Sequence, residues 1–213
     1  VLDLSAFYLD TLKDRLYTEP ASTAKRRCAQ SALYDILGTL VKALAPILVV
    51  TADEVWQLMR GAGWVSEPSV HLAPWPRLPD VDAGESEKGR WAAFRSMRDV
   101  VMKALEEQRS QGLIGSPLEA RVTLLVNDER LRQLCEAHRE TLAEAFVVSS
   151  VEVRANGAQA SSPDERLPGL VGVTVERAPG GKCQRCWKHL MSVGSNAAHP
   201  HLCERCVRAV SNG

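Results

Sequence analysis

Apolar residues recur at helical spacing through the first 60 positions of the chain. Leu9, Leu12 and Leu16 lie three and four residues apart, which predicts one buried stripe on a first helix. Ser5 is placed to cap that helix, and Pro20 is placed to end it. A longer stripe consists of Ala29, Ala32, Leu33, Ile36, Leu37, Leu40, Val41 and Leu44. The pattern therefore predicts an antiparallel helical unit.

Boundary residues divide the rest of this region into two more helices. Ser22 or Thr23 can cap the second helix, and Pro46 stops or kinks it. The run Thr51–Glu54 has the form of a capping box, so a third helix is expected to start there and to reach about Arg60.

The helical pattern stops over residues 61–90, where glycine and proline are frequent. An irregular connection of that length inside one compact unit is unusual, so a domain boundary is expected near it. The next periodic run carries Trp91, Phe94, Val101 and Leu105 on one face, which predicts another helix.

Strand patterns dominate the middle of the chain. Residues 121–126, 146–154 and 170–177 are predicted as strands, with a polar loop over residues 155–169. Asp128 can cap a helix after the first of these strands. That helix carries Leu131, Leu134, Cys135, His138 and Leu142. A small α+β domain is the simplest arrangement of these elements.

The predicted fold class is therefore mostly α with a small α+β domain. The expected divisions are an antiparallel helical bundle over residues 1–75, an α+β junction domain over residues 76–179 and a small module over residues 180–213. Cys28 and Cys135 are expected to be small buried residues of helices. Core or interdomain packing is expected for Trp56, Trp64, Trp75 and Trp91.

Composition is that of an ordinary globular protein. Of the 213 residues, 45% are hydrophobic and 24% are charged, and no run approaches the ~20 apolar residues of a membrane span. The formal net charge is zero, but residues 180–213 hold five basic residues and one acid. Such asymmetry is found at nucleic-acid contacts and also on solvated surfaces.

Four of the six cysteines form two matched pairs near the end of the sequence. Cys183 and Cys186 make one C-x2-C hook, Cys203 and Cys206 make another, and residues 187–202 separate them. Two hooks at this separation can place four thiolates at the corners of a tetrahedron, which is the arrangement of structural Zn²⁺ sites. The spacing predicts one structural Zn²⁺ with no position left open for water.

Other interpretations of these cysteines fit less well. Two disulfides would need an oxidising compartment, and no secretory signal is visible. A redox pair would not need a second copy. His189, His199 and His201 lie between the hooks and could replace a cysteine, but four thiolates complete the site without them.

Sequence signals of catalysis are absent. There is no Gly-rich phosphate loop, no Gly-x-Ser-x-Gly elbow and no His-Glu-x-x-His motif. Glu106 and Glu107 are adjacent on a predicted helix, so they cannot both face one site. The chain starts at Val1 without an initiator methionine, which favours a segment of a longer polypeptide.

Several short runs, taken in order, resemble one family. They are Leu4–Asp10, Lys13–Tyr17, Arg26–Leu33, Leu44–Leu48, Thr51–Trp56, Ile114–Ala120, Cys183–Trp187 and Cys203–Cys206. These runs resemble the anticodon-binding bundle, the junction domain and the C-terminal zinc module of bacterial-type isoleucyl-tRNA synthetases. Trp187 beside the first hook favours this family over the related valyl, leucyl and methionyl enzymes.

The resemblance implies a role in tRNA recognition. The family's catalytic domain, with its His-x-Gly-His and Lys-Met-Ser-Lys-Ser signatures, and its editing domain have no counterpart in this sequence, so the chain alone is expected not to activate isoleucine. The implied partners are tRNA(Ile) and the catalytic and editing domains of the same polypeptide. The parent enzyme would be a cytoplasmic monomer that uses ATP to attach isoleucine to its tRNA.

The resemblance also implies candidate RNA contacts. They are Lys13, Arg15, Tyr17, Arg26 and Arg27 on the bundle, and Arg185, Trp187 and Arg205 on the zinc module. Unstacked anticodon bases can stack on aromatic rings or arginine planes. Structural roles are open for each residue: Arg15 could pair with Asp14 or Glu19, and Trp187 could pack over the cysteine sulfurs.

Two other classes of protein stay open on the residues alone. Certain DNA repair glycosylases end in a similar zinc finger that grips DNA, but they need an N-terminal Pro-Glu and a β-rich first domain, where this chain has Val1-Leu2 and helices. A non-enzymatic protein-interaction adaptor is compatible with the mixed surface charge.

Overall fold

Helices account for most of the computed structural model, which describes residues 2–76, 84–155 and 165–211. The α-helices are α1 Leu9–Thr18, α2 Ala24–Leu44, α3 Val49–Gly61, α4 Gly84–Ser110, α5 Glu129–Ala137, α6 Arg139–Phe146 and α7 Glu204–Ser211. The strands are β1 Ala120–Val126, β2 Ser150–Arg154, β3 Leu170–Arg177, β4 Gly181–Lys182 and β5 His189–Leu190. A π-helical stretch at Leu2–Tyr8 precedes α1, and single 3-10 turns lie at Val70–Leu72 and Pro117–Glu119. The predicted fold class is confirmed.

The chain forms two compact units. One consists of Val1–Ser22 together with Ala83–Gly213, and the other is Thr23–Asp82. Helix α1 therefore lies in the unit that also contains the sheet and the four hook cysteines, whereas the sequence divisions assign it to the bundle over residues 1–75. Those three divisions stay a prediction.

The unit Thr23–Asp82 is built on α2 and α3. Thr23 caps α2 by accepting a hydrogen bond from the Arg26 amide, and α2 ends two residues before Pro46, as predicted. The buried core residues are Val41, Ala45, Ala52, Trp56, Met59 and Val70. Trp56 is buried and its Nε1 donates a 2.8 Å hydrogen bond to the Glu67 carbonyl. The unit thus has a core of its own.

A three-stranded sheet organises the larger unit. Its strand order is β2-β1-β3, with β1 parallel to β2 and antiparallel to β3. A parallel pair needs a crossover connection, and α5 and α6 supply it. The buried core includes Phe94, Met97, Val101, Leu105, Val122, Leu124, Val126, Leu142, Phe146, Val148 and Leu170. Helix α1 joins this unit through Arg15, whose Nη2 lies 2.6 Å from Oε2 of Glu144.

Two helix starts differ from the prediction. Ser5 lies inside the π-helical stretch and so does not cap α1. Helix α3 begins at Val49, not at the box Thr51–Glu54, and its N-cap residue Leu48 makes no side-chain capping bond. The turn after α2, in which the Leu48 amide donates to the Leu44 carbonyl, leads directly into α3 and places Thr51 within its first turn.

The predicted irregular region 61–90 is partly wrong. Residues 84–90 are the first turns of α4, while residues 77–83 lie outside the described residues. Gly89 lies inside these turns, and a glycine costs roughly 1 kcal/mol in a helix interior. Side-chain pairs along the helix offset part of that cost: Lys88 with Glu85, and Trp91 Nε1 with Glu87 at 2.7 Å.

The predicted strand over residues 146–154 starts four residues too early, and the predicted helix after Asp128 is two helices, α5 and α6. Residues 146–149 end α6 and turn into β2, because Val147 adopts a left-handed conformation at φ +57° and its amide bonds back to Ala143 and Glu144. At His138 the backbone leaves the helical region, which separates α5 from α6. Asp128 caps α5 as predicted. Of the predicted loop 155–169, residues 156–164 lie outside the described residues.

Burial corrects some single-residue expectations. Cys135 is buried, and burial raises the pKa of its thiol to about 12, but Cys28 is exposed. Among the tryptophans, core packing holds for Trp56, whereas Trp64 and Trp75 are more than half exposed. None of the helices in the described ranges has the length and apolar character needed to cross a bilayer.

Candidate metal centre and adjoining surface

Each cysteine hook is shaped by its own backbone hydrogen bonds. In the first hook the Cys183 amide donates to the Lys188 carbonyl at 2.9 Å, and the Trp187 amide donates to the Cys183 carbonyl at 2.8 Å. Strands β4 and β5 pair on either side of this turn. In the second hook Cys203 precedes α7, Cys206 lies in its first turn, and the Val207 amide donates to the Cys203 carbonyl at 2.9 Å. Local hydrogen bonding therefore turns all four sulfurs inward.

The four sulfurs form one buried cluster. The ligand atoms of Cys183, Cys186, Cys203 and Cys206 all lie within 4.8 Å of one another, and each residue is at most 7% exposed. The Sγ atoms of Cys186 and Cys203 are 3.8 Å apart. With Zn–S bonds of ~2.3 Å, sulfurs at the corners of a tetrahedron lie ~3.8 Å apart. The residues thus fit one Zn²⁺ ion.

Hydrogen bonds between the thiols and burial of the cluster shift the pKa values of its cysteines. The hydrogen bond from the Cys206 thiol lowers the pKa of Cys186 despite burial, and the same bond raises the pKa of Cys206. Burial raises the pKa of Cys203. Zn²⁺ binding displaces such protons, since the metal ligand is the thiolate. The donor set is that of a closed structural site, in which four sulfurs leave no place for a substrate.

The predicted histidine alternatives lie outside the sulfur cluster. His189 is in β5, where its amide donates to Ser149 Oγ at 2.8 Å. His199 is half-buried and His201 is exposed. Among the described residues, the candidate ligand cluster contains the four cysteines and no histidine.

The metal module packs against the end of α1 through charged groups. Arg205 donates two hydrogen bonds of 2.7 Å each to the Asp14 carboxylate in a bidentate contact. Lys188 Nζ lies 3.4 Å from the same carboxylate. Arg185 donates to the carbonyls of Thr18 and Tyr17, the second at 3.3 Å. Burial alone would raise the pKa of Asp14, but the hydrogen bonds from Arg205 and the charge of Lys188 hold that pKa well below its usual range.

Three of the predicted RNA-contact residues therefore make contacts within the protein. Arg185 and Arg205 hold the end of α1, and Arg15 donates to Glu144 instead of to Asp14 or Glu19. Each still has a partly exposed side chain, at 28–30% for Arg205 and Arg15. A role of these residues in RNA contact stays a prediction.

The other predicted contacts are more accessible. Tyr17 is 74% exposed and Trp187 is 60% exposed. Lys13 is exposed and pairs with Asp10 on the same helix at 2.8 Å. Arg26 and Arg27 lie on the first turn of α2, in the unit Thr23–Asp82, where Arg26 is half-buried and Arg27 is exposed.

A cleft of about 550 Å³ brings several of these residues together in the larger unit. It lies between α1, α6 and residues 185–188, and both Tyr17 and Trp187 line it. Its walls also include Lys13, Leu118 and Val147. Sequence reasoning missed this cleft, since Leu118 and Val147 meet the other residues only through the fold.

Asp14 holds the metal module against α1, and the sequence did not identify it for that role. It lies one helical turn from Asp10, and both have basic neighbours. The difference between them is a partner 191 positions away, Arg205. The residues adjacent to Asp14 in sequence contain no signal for such a pair. The one indication is that the second half of α1 carries a carboxylate and the hooks carry lysine and arginine.

Comparisons with known proteins agree with the geometry. Residues 1–124 match the family described as the anticodon-binding domain of tRNA ligase, and residues 180–209 match the zinc finger found in FPG and IleRS. The second match covers both hooks. It therefore supports the same conclusion as the sulfur cluster, that this module holds one structural zinc ion.

Curated relatives align with the chain along almost its whole length. An isoleucine–tRNA ligase of Exiguobacterium sibiricum is 39% identical over 213 residues, covering all of this chain and 22% of that protein. Isoleucine–tRNA ligases of Bacillus mycoides and Syntrophotalea carbinolica are 41% and 40% identical over 211 residues, again 22% of each protein. The chain thus spans about a fifth of the length of these relatives. With its first 124 residues matching that family's model and its hooks matching the accompanying zinc finger, the chain belongs to the anticodon-binding domain family of tRNA ligases.

Proposed function

We propose that this chain binds the anticodon arm of tRNA(Ile) as the RNA-recognition part of an isoleucine–tRNA ligase. Family membership supports the RNA partner, and the relatives' names support the amino acid. The catalytic and editing steps would belong to other domains of the same polypeptide, with ATP as their co-substrate. A monomeric, cytoplasmic enzyme is part of the same proposal.

The observation that carries this proposal is the backbone of Trp187. Its φ is +63°, in the left-handed region where glycine is favoured and a bulky side chain is strained. The hook geometry needs that conformation, because the Trp187 amide closes the turn onto Cys183. A glycine would serve the turn at lower cost. The ring that replaces it is 60% exposed, so packing accounts for only part of its presence.

The surroundings of the ring suit an unstacked base. Tyr17 lines the same cleft, and Lys182 Nζ lies 6.0 Å from the Trp187 ring centroid. A base can stack on an aromatic ring while nearby lysines contact the adjoining phosphates. Lys13 on the cleft wall supplies a second cation. We infer that Trp187 and Tyr17 are base contacts and that Lys13 and Lys182 are phosphate contacts.

A binding assay tests this proposal directly. Trp187→Ala should weaken binding of a tRNA(Ile) transcript by ~1–3 kcal/mol with little change in salt dependence, as expected for loss of a stacked ring. Trp75→Ala is the matched control, because Trp75 is similarly exposed but lies in the other unit. Zinc content must be equal in all variants. Equal binding by the wild type and Trp187→Ala would refute the base contact.

The partner class is tested with the same proteins. A DNA duplex and a non-cognate tRNA serve as competitors. Tighter binding to the duplex would favour the DNA-repair type of zinc finger, and binding to neither nucleic acid would favour a protein-interaction role. Lys13→Gln and Arg26→Gln should each reduce the slope of log affinity against log salt, by up to ~0.7–0.9 for each phosphate that the variant no longer neutralises.

The proposed division of labour has its own test. The purified 213-residue chain should show no isoleucine-dependent pyrophosphate exchange, because its sequence contains no phosphate-binding loop or nucleotide-binding signature. Exchange above background would contradict the assignment of catalysis to other domains.

A further inference from the structure

The two hooks each present one arginine to the same end of α1. Arg185 lies between the two cysteines of the first hook, and Arg205 lies between those of the second. Arg185 binds the carbonyls of Tyr17 and Thr18, whereas Arg205 binds the Asp14 side chain. The end of α1 is therefore held at two points, and the two points belong to chain segments that the metal site joins.

The contact satisfies groups that the helix leaves open. The last carbonyls of an α-helix have no partner within the helix, and the partial negative charge there favours a cation. After Thr18 the backbone is extended at Glu19, so no further turn covers these carbonyls. Thr18 is 4% exposed, so its carbonyl is next to a buried side chain. Arg185 thus acts as the C-terminal cap of α1.

Charge is nearly balanced across this contact. A Zn²⁺ ion with four thiolates carries a formal charge of −2, and Asp14 adds a third negative charge. Lys188, Arg185 and Arg205 supply three positive charges, and the Lys188 side chain is only 12% exposed. Arg185 also lies 3.8 Å from the Cys206 sulfur, so it faces the metal site and the helix end together. Glu19 Oε1 lies 3.5 Å from Arg205 and adds a fourth negative charge, so one negative charge remains in excess.

We propose that zinc binding and docking of the α1 end are one coupled equilibrium, and that Asp14 is the positioning residue that links them. The zinc ion fixes the two hooks relative to each other, so both arginines reach α1 at once. Two weak contacts held on one rigid body bind far better than either does alone. Loss of zinc separates the hooks, and the end of α1, including Tyr17, then loses its cap.

Thermodynamic linkage makes the effect reciprocal. If zinc favours the docked helix end, the docked helix end must favour zinc by the same factor. Asp14→Asn removes the charge that orients Arg205 and Lys188 while keeping the size of the side chain. Coupling free energies between sites are typically 1–3 kcal/mol, which corresponds to about 5–150-fold in affinity.

The first experiment measures zinc affinity by competition with a chromophoric chelator. Asp14→Asn in the 213-residue chain should bind zinc at least about fivefold more weakly than the wild type. Asp10→Asn is the matched control: it makes the same change one turn earlier on the same helix, where the carboxylate pairs with Lys13. A change below about twofold in Asp14→Asn, or an equal loss in Asp10→Asn, overturns the proposal.

The second experiment needs no substitution. Hydrogen exchange of the wild type, with and without bound zinc, should show faster exchange over residues 14–19 after zinc removal, with the amides of β1 unchanged as the internal reference. Unchanged exchange over residues 14–19 also overturns the proposal. This measurement remains decisive if Asp14→Asn proves too unstable to purify.

The proposal rests on the proposed function only for its consequence in RNA binding. If zinc orders Tyr17 for RNA, Asp14→Asn at subsaturating zinc should bind tRNA(Ile) more weakly, and excess zinc should restore binding. Coupling between zinc and α1 without any effect on tRNA affinity would confirm the linkage and refute the RNA surface. Loss of tRNA affinity with unchanged zinc affinity would refute the linkage and support the RNA surface.

Discussion

Glycine should be better tolerated than alanine at position 187, the reverse of the usual order. Trp187 stands at φ +63°, and a left-handed conformation costs a non-glycine residue roughly 1–2 kcal/mol. Alanine keeps that cost because it keeps a Cβ atom. Glycine removes the strain but loses ~0.4–1 kcal/mol through the greater freedom of its unfolded chain. The difference favours glycine over alanine by about 0.5–1 kcal/mol.

Loss of the ring itself affects both variants equally. With 60% of the residue exposed, about two-fifths of a tryptophan is buried, or ~60–100 Å². At ~25 cal/mol per Å² this contributes roughly 1.5–2.5 kcal/mol. Trp187→Ala should therefore be clearly less stable than the wild type, whereas Trp187→Gly should lie closer to it. Both variants should lose the same amount of tRNA affinity, since neither has a ring.

Local stability is best measured by hydrogen exchange of the hook amides at a fixed concentration of free zinc. The Gln184 amide, which donates to the His201 carbonyl at 3.0 Å, reports on closure of the module. Lys103, exposed in the middle of α4, provides the control pair, where glycine should be ~0.8–1 kcal/mol worse than alanine. Equal protection in Trp187→Gly and Trp187→Ala would show that the backbone at 187 is not strained, and the reasoning from that strain would fail.

Three further outcomes are expected. Zinc removal by a chelator should increase hydrogen exchange over residues 181–211 and leave the β1 amides protected, because the sheet has its own apolar core. Phe146→Ala, which empties a fully buried site, should lower the free energy of unfolding by ~3–5 kcal/mol in urea denaturation. In the folded protein the hydrogen bond from Ser69 lowers the pKa of the Asp53 carboxyl, although burial acts in the opposite direction. The ionised Asp53 carboxylate therefore contributes its full stabilisation above the unfolded pKa of ~3.9, and that stabilisation is lost as pH falls through the lower folded pKa. In hydrogen exchange corrected for intrinsic rates, the amides of α3 should therefore lose less protection in Asp53→Asn than in the wild type as pH falls from about 6 to about 2.5.

The sequence predicts best where the determinant is local. Thr23 and Asp128 cap their helices because the acceptor lies three residues from the donor, and Pro46 ends α2 because proline lacks the amide. Strand β3 occupies the predicted residues 170–177, where valine alternates. The metal centre was also predictable, because the spacing within each C-x2-C hook brings its two cysteines together over only a few residues.

The sequence fails where distant contacts decide. Val147 is β-branched and favours a strand by propensity, but it takes a left-handed turn because Val148 is buried in the core directly after α6. Arg15 has acidic neighbours in sequence and pairs with Glu144 on another helix. Asp14 could not be distinguished from Asp10 without the packing of α7. The ligands were thus predictable, and the surface beside them was not.

The contact between Asp14 and Arg205 also sets an order of events during synthesis. The two residues are 191 positions apart, and ribosomes add about 5–20 residues per second, so Asp14 waits roughly 10–40 seconds until Arg205 is made. The unit Thr23–Asp82 lies wholly within that interval and has its own core, so it can fold while α1 is still unpaired. Glu144, the partner of Arg15 on α6, is added about 60 residues before Arg205, so α1 can join the sheet unit through Arg15 before Asp14 gains its arginine.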